Sequence, residues 1–272
     1  MRLRLRLLLM LILVVSVAVP LGADAAVVGN FTQVEGQVSL LKQGKLPAVA
    51  AKAGDGVEAG DVVRTKSKSR AQIKFVDDTL ITLAPESRVA VADYFYDAAR
   101  GSRRAVLRLY RGLVHTLVTR LLQVQEPDFI VETHTAVLGV RGTEWYTLLM
   151  PNFTSVYLLG GLLDLKSNIP TIPAVLPLQA RQFTQVVRGM QPQLPQPITP
   201  AMLEMLRKMM DTGIQDNSLL GVWPHGLGGA GGMGEFKLPV SPDQMTQPII
   251  PPTVPAPLPP PQTPGSGPTN IP

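Results

Sequence analysis

"THTAVLGVRGTEWYTLL", Thr133 to Leu149, carries the pattern on which the fold turns. Ala136, Leu138 and Val140 alternate onto one face, as a half-buried strand requires. The alternation then breaks at Arg141-Gly142-Thr143. Glycine weakens a strand and arginine is seldom buried, so the break needs a reason. In a straight strand Trp145 would point away from Val140. A bulge at Gly142 shifts the register by one and returns Trp145 to the Leu138 and Val140 face. Arg141 could then fork onto a carboxylate or onto loop carbonyls and lock the kink. Arg141, Gly142, Thr143, Glu144 and Trp145 are therefore read as a structural signature. Ligand recognition is the alternative, and no activated nucleophile or base stands beside them for catalysis.

Outward from this stretch the same grammar repeats. "FTQVEGQVSLL" alternates through Val34, Val38 and Leu40. "RAQIKFVDDTLITLAPES" reads as a hairpin turning at Asp77-Asp78. "RVAVADYFYD" and "RRAVLRLYRGLV" form a second pair around "AARGS", and "DFIVETH", "TSVYLLGGLLDLK" and "QFTQVVRG" continue the rhythm. Short strands between turn signals predict an all-β domain over residues 27–189. The grammar changes after Gly189. Residues 190–198 are a Pro-rich linker. Residues 199–213 predict a helix, with Thr199 as cap, Pro200 at the first position and Gly213 at the end. Its Leu203, Leu206 and Met210 face suits docking on its own β domain, or else a partner. Residues 214–238 are a Gly-rich loop. Residues 239–272 hold half of the chain's 26 prolines and are expected to be an extended, disordered tail.

The N-terminus predicts export. Arg2, Arg4 and Arg6 precede an apolar run from Leu7 to Val19, and Ala23-Asp24-Ala25 is a small-x-small site. That is the order of a signal peptide over residues 1–25, cleaved after Ala25, which places the protein in the periplasm or outside the cell with no transmembrane segment remaining. Removing Arg2, Arg4, Arg6 and Asp24 lowers the formal net charge from +5 to +3. This weak balance and the compartment argue against nucleic acid. The chain has no cysteine, so thiol catalysis, thiolate metal sites and lipid attachment are excluded.

Four stretches in order resemble the FecR domain family: "GDVVRTKSKSRAQIKFVDDTLITLAPES", "LYRGLV", "FIVETHTAVLGVRGTEWYT" and "TSVYLLGGLLDL". The resemblance covers about Val34 to Gly189. Asp78 departs from it, because the family has glycine there. The resemblance implies a β-helix-like or sandwich-like extracytoplasmic domain. The family's known members join it to a membrane helix and a cytoplasmic anti-sigma segment. Only Met1 to Arg6 precede the apolar run here, so the domain is carried over and the iron-signalling role is not.

The remaining candidates are few. Tyr94, Tyr96 and Tyr110 interleave with Arg100, Arg103, Arg104, Arg108 and Arg111. They make a possible ligand or partner surface for an envelope protein or an anionic glycan, or a solvated strand edge. His115, His134 and His225 share no metal-ligand spacing, and Asp77-Asp78 reads as a turn rather than a catalytic pair. Neither a metal nor another cofactor is implied. The expected function is that of an exported, non-enzymatic binding or scaffold module. The alternative is an envelope signalling component that relays the state of a membrane protein.

Overall fold

The computed structural model describes residues 26–121 and 127–213. The signal segment, His225, the Gly-rich loop and the Pro-rich tail lie outside them. In chain order the strands are β1 (Val27–Glu35), β2 (Val38–Leu41), β3 (Val49–Ala50), β4 (Gly56–Glu58), β5 (Val62–Thr65), β6 (Arg70–Phe75), β7 (Leu80–Leu83), β8 (Arg88–Asp97) and β9 (Ser102–Leu117). Then follow β10 (Phe129–Glu132), β11 (Ala136–Val140), β12 (Glu144–Met150), β13 (Phe153–Gly160), β14 (Leu162–Ser167), β15 (Val175–Gln179), β16 (Gln182–Val187) and β17 (Gln196–Pro197), and last the helix α1 (Pro200–Thr212).

The strands pair into two sheets. Sheet A runs β4-β1-β6-β7-β9-β12-β13-β16-β17. Sheet B runs β3-β2-β5-β8-β9-β10-β11-β14-β15. The chain lays down hairpins alternately: β10-β11 in B, β12-β13 in A, β14-β15 in B, β16-β17 in A. The β9/β10 pair is parallel; the others are antiparallel. The outcome is a sandwich wound in the manner of a helix of hairpins.

β9 belongs to both sheets. Residues 102–111 pair with β8, and residues 112–117 pair with β12. Inward positions are odd-numbered up to Leu109 and even-numbered from Val114, because the strand changes sheet at Gly112. Gly112 has φ +99, and a β-carbon there would overlap Ser87. Ser87 Oγ bridges this joint, donating to Leu113 O (3.1 Å) and accepting from Leu113 N (3.2 Å). Thr65 Oγ1 accepts from Ser87 N (2.9 Å) and donates to Ala84 O (2.7 Å).

The inner faces of both sheets close one core. An aromatic chain crosses it: Phe75 stacks on Tyr94 at 4.4 Å, Tyr94 meets Phe129 edge-on at 6.4 Å, and Phe129 meets Trp145 edge-on at 6.3 Å. The outer face of sheet A carries a second cluster. Ala84, Leu113, Leu148, Tyr157 and Phe183 are covered by Met202, Leu206, Met209 and Met210 of α1. The helix begins as the sequence predicts, with Thr199 Oγ1 accepting from Met202 N (3.2 Å), and it ends at Gly213, φ +77. Its apolar face docks on its own β domain. The Pro-rich linker lies along β16 instead of standing free: Thr184 Oγ1 donates to Gln193 O (2.6 Å) and Ile198 N to Arg181 O (2.9 Å). Among the described residues, no helix is long and apolar enough to cross a membrane.

Candidate binding surface

The signature at 141–145 is a change of sheet. β11 ends at Val140 in sheet B, and β12 starts at Glu144 in sheet A. This corrects the expectation of a bulge inside one continuous strand. Both readings bring Trp145 to the Val140 side, since a strand that swaps sheets turns its inner face to the same core. Gly142 has φ +68, and a β-carbon there would overlap Arg120. Arg141 Nη2 donates to Asp164 Oδ2 at 3.0 Å, the carboxylate partner expected of it. Thr143 exchanges both backbone hydrogen bonds with Val118 (2.9 and 3.1 Å), and its Oγ1 donates to Leu162 O (3.1 Å). Trp145 is fully buried, with Nε1 donating to Thr147 Oγ1 at 2.8 Å.

Glu144 faces outward. Its Oε1 lies 3.0 Å from His115 Nε2, and the His115 ring stacks on Tyr146 at 4.4 Å. Burial holds the His115 pKa below its ordinary value, and Glu144 only partly offsets this. His134 Nε2 lies 3.0 Å from Pro151 O. Among the described residues, no group of three or more His, Cys, Asp or Glu could hold a metal ion.

Two of the interleaved surface candidates are corrected. The side chain of Arg103 is fully buried, and Tyr94 is 5% exposed. Arg103 sits on the inward side of β9 with Ala105 and Leu107. Its Nη1 donates to Asp77 Oδ2 (2.6 Å) and Thr119 O (3.1 Å), and Nε and Nη2 clamp Asp128 (3.0 and 2.8 Å). Tyr94 Oη donates to Asp77 Oδ1 (2.6 Å), and Thr79 Oγ1 to Asp77 Oδ2 (2.8 Å). Burial raises the Asp77 pKa, but these hydrogen bonds and the Arg103 charge outweigh it and leave the carboxyl below its ordinary value. Asp77 is thus a core anchor of the β6-β7 turn. Its neighbour Asp78 takes the left-handed conformation a glycine would take, φ +63, and pairs with Lys74 at 2.8 Å.

Tyr96 shares the inward register of Tyr94, opposite Arg103, and the remaining candidates stay on the outside. Arg104 pairs with Asp93 and Arg108 with Glu132, each at 2.7 Å. Arg100 lies near Asp97 at 3.7 Å, Tyr96 is half-buried, and Arg111 is exposed. Tyr110 is 50% exposed, with the Arg88 guanidinium 5.1 Å from its ring centre. These residues lie on sheet B, whose outer face also carries Phe95, Val106 and Ile130. Arg64 and Arg88 belong to the same face and were missed. In "VVRT" and "SRVAV" each arginine adjoins a buried valine, Val63 or Val89, and so points to the opposite face. Elsewhere, a groove of about 460 Å³ is lined by Leu159 of β13, Arg181 in the turn before β16, Ile198, and Pro200 and Leu203 of α1.

The geometry defines an all-β sandwich whose most specific motifs are sheet-changing turns and buried polar anchors. Residues 61–161 match the FecR protein family model, and this stretch of the chain is a FecR domain. The sandwich extends beyond the match on both sides. No curated protein matches the chain. Two crystal structures of a proposed anti-sigma factor from Parabacteroides distasonis are similar at 14% and 15% identity, with TM-scores of 0.42 and 0.41. Each similarity covers 53% of this chain and 62% of the other, so the likeness spans less than two thirds of that protein.

Proposed function

We propose that this chain is an exported, non-enzymatic FecR-domain protein that serves as a binding or scaffold module in the periplasm or cell envelope. One observation carries the reading. Among the described residues, α1 covers the outer face of sheet A, whereas nothing covers the outer face of sheet B around Phe95, Tyr110, Val106 and Ile130. The buried ionic groups support it, because Asp77, Asp128 and Arg103 are taken up by one another inside the core. The FecR-family match supports a regulatory, envelope-related role. On that basis the second reading is a component that relays the state of a membrane protein.

Site-specific photo-crosslinking in the native envelope tests the module. A crosslinkable residue at Phe95 or Tyr110 is expected to capture a discrete partner, and one at Val49 on β3 is not. N-terminal sequencing of the same exported material should begin at Ala26. Capture at neither Phe95 nor Tyr110, or a chain that keeps Met1 in the membrane fraction, would overturn the reading.

A further inference from the structure

The outer face of sheet B carries arginines of two kinds. Arg104 and Arg108 each hold a carboxylate at 2.7 Å. Arg64, Arg88 and Arg111 are exposed, and none of the ion pairs among the described residues includes them. These three stand in one cross-strand row. Arg64 on β5 is opposite Arg88 on β8, and Arg88 is opposite Arg111 on β9. Neighbouring strands lie about 4.8 Å apart, so the row spans about 10 Å. Like charges directly opposite on adjacent strands repel each other. A fold that neutralises Arg104 and Arg108 with local acids leaves this row unneutralised.

We propose that the row Arg64–Arg88–Arg111, with Tyr110 beside it, binds an anionic polysaccharide. The inference rests on the binding-module reading and names the ligand for one end of that face. Three guanidinium forks suit carboxylates repeated along a chain, since each fork can bind a carboxylate through two hydrogen bonds. Tyr110 supplies a half-exposed ring on which the C–H face of a sugar can lie, next to the Arg88 cation. The row continues into Ser39, opposite Arg64, and contains no large aliphatic side chain. A protein partner would need an apolar, desolvated centre, and the apolar residues Val106 and Ile130 lie on another row.

Binding of fluorescent polygalacturonate to the full chain tests this, with neutral dextran and poly-glutamate as comparisons. The wild type should bind polygalacturonate and not dextran, with affinity falling as salt rises. R64S/R88S/R111S should weaken binding by about thirtyfold or more, and R104S/R108S by less than about threefold. The triple variant should melt close to the wild type, because the repulsion it loses offsets the loss of the exposed Arg88–Tyr110 contact. The inference fails if the triple variant binds normally, if R104S/R108S loses as much, or if poly-glutamate binds more tightly than the glycan. Crosslinking at Phe95 separates it from the broader reading. Captured partner without polygalacturonate binding sinks the glycan site and leaves the module standing; polygalacturonate binding without captured partner keeps the glycan site and removes only the protein partner from that face.

Discussion

At the scale of single residues, the polar groups that look reactive are the ones that hold the core. Asp77 receives hydrogen bonds from Tyr94, Arg103 and Thr79, and Arg103 reaches on to Asp128. Losing the Asp77 charge leaves Arg103 paired with Asp128 but weakens three buried hydrogen bonds to the carboxylate, at a cost of about 1–3 kcal/mol. Asp77→Asn should therefore lower stability at neutral pH by roughly that amount, read by denaturant unfolding. The pH dependence carries the sign. A carboxyl held below its ordinary value contributes stability that is present above about pH 4 and lost as pH falls through its folded pKa. The gap between wild type and Asp77→Asn should thus narrow below about pH 4; a gap constant with pH would show that the charge is not what matters. This network was partly legible in the sequence. Arg103 shares its parity with Ala105 and Leu107, which marks it as inward, while Arg104 and Arg108 share the outward parity. Grouping all five arginines by composition hid that difference. Asp128 carries no local signal at all, since only the parallel β9/β10 pairing brings it near.

At the scale of elements, the hairpins β6-β7 and β8-β9 and the capped helix could be read directly, because alternation, turn residues and caps are local. The assignment of strands to sheets could not. Strands facing one core from opposite sides carry the same alternation, so "AVLGVRGTEWYT" and "SVYLLGGLLDL" each read as one interrupted strand. Each is two strands in different sheets, joined at Gly142 and Gly161, and a β-carbon on Gly161 would meet Gly142 O at 2.5 Å. The helix offers a test at this scale. Leu206 is fully buried against the outer face of sheet A. Leu206→Ala should cost about 2–4 kcal/mol by loss of contacts and an unfilled cavity. Asp211→Ala breaks only its mostly exposed pair with Arg70 and should cost less than about 1 kcal/mol. Equal effects in thermal melts would mean that α1 is held by its ion pair and not by its apolar face.

At the scale of the whole molecule, the question is whether two sheets make one cooperative unit. The chain has no cysteine, so no disulfide ties them, and packing must do so. β9 supplies the link. It pairs with β8 and β10 in sheet B and with β7 and β12 in sheet A. Losing β9 removes the centre of both. The Phe75–Tyr94–Phe129–Trp145 chain passes back and forth between the sheets, so neither inner face is complete alone. Heating should therefore give one transition, with far-UV circular dichroism and Trp145 fluorescence melting together in a Trp223→Phe background. Gly112→Ala attacks the joint itself. It places a side chain at φ +99 and brings a β-carbon within 2.7 Å of Ser87 Cα, a backbone atom that cannot swing away. A cost of about 3 kcal/mol should lower the midpoint by roughly 6–12 °C in a domain of this size. The shift should be the same for both probes, because the strand being distorted is common to both sheets. Two separate midpoints in the parent protein, or a Gly112→Ala shift seen by one probe alone, would show that the sheets unfold independently and that β9 connects them without coupling them.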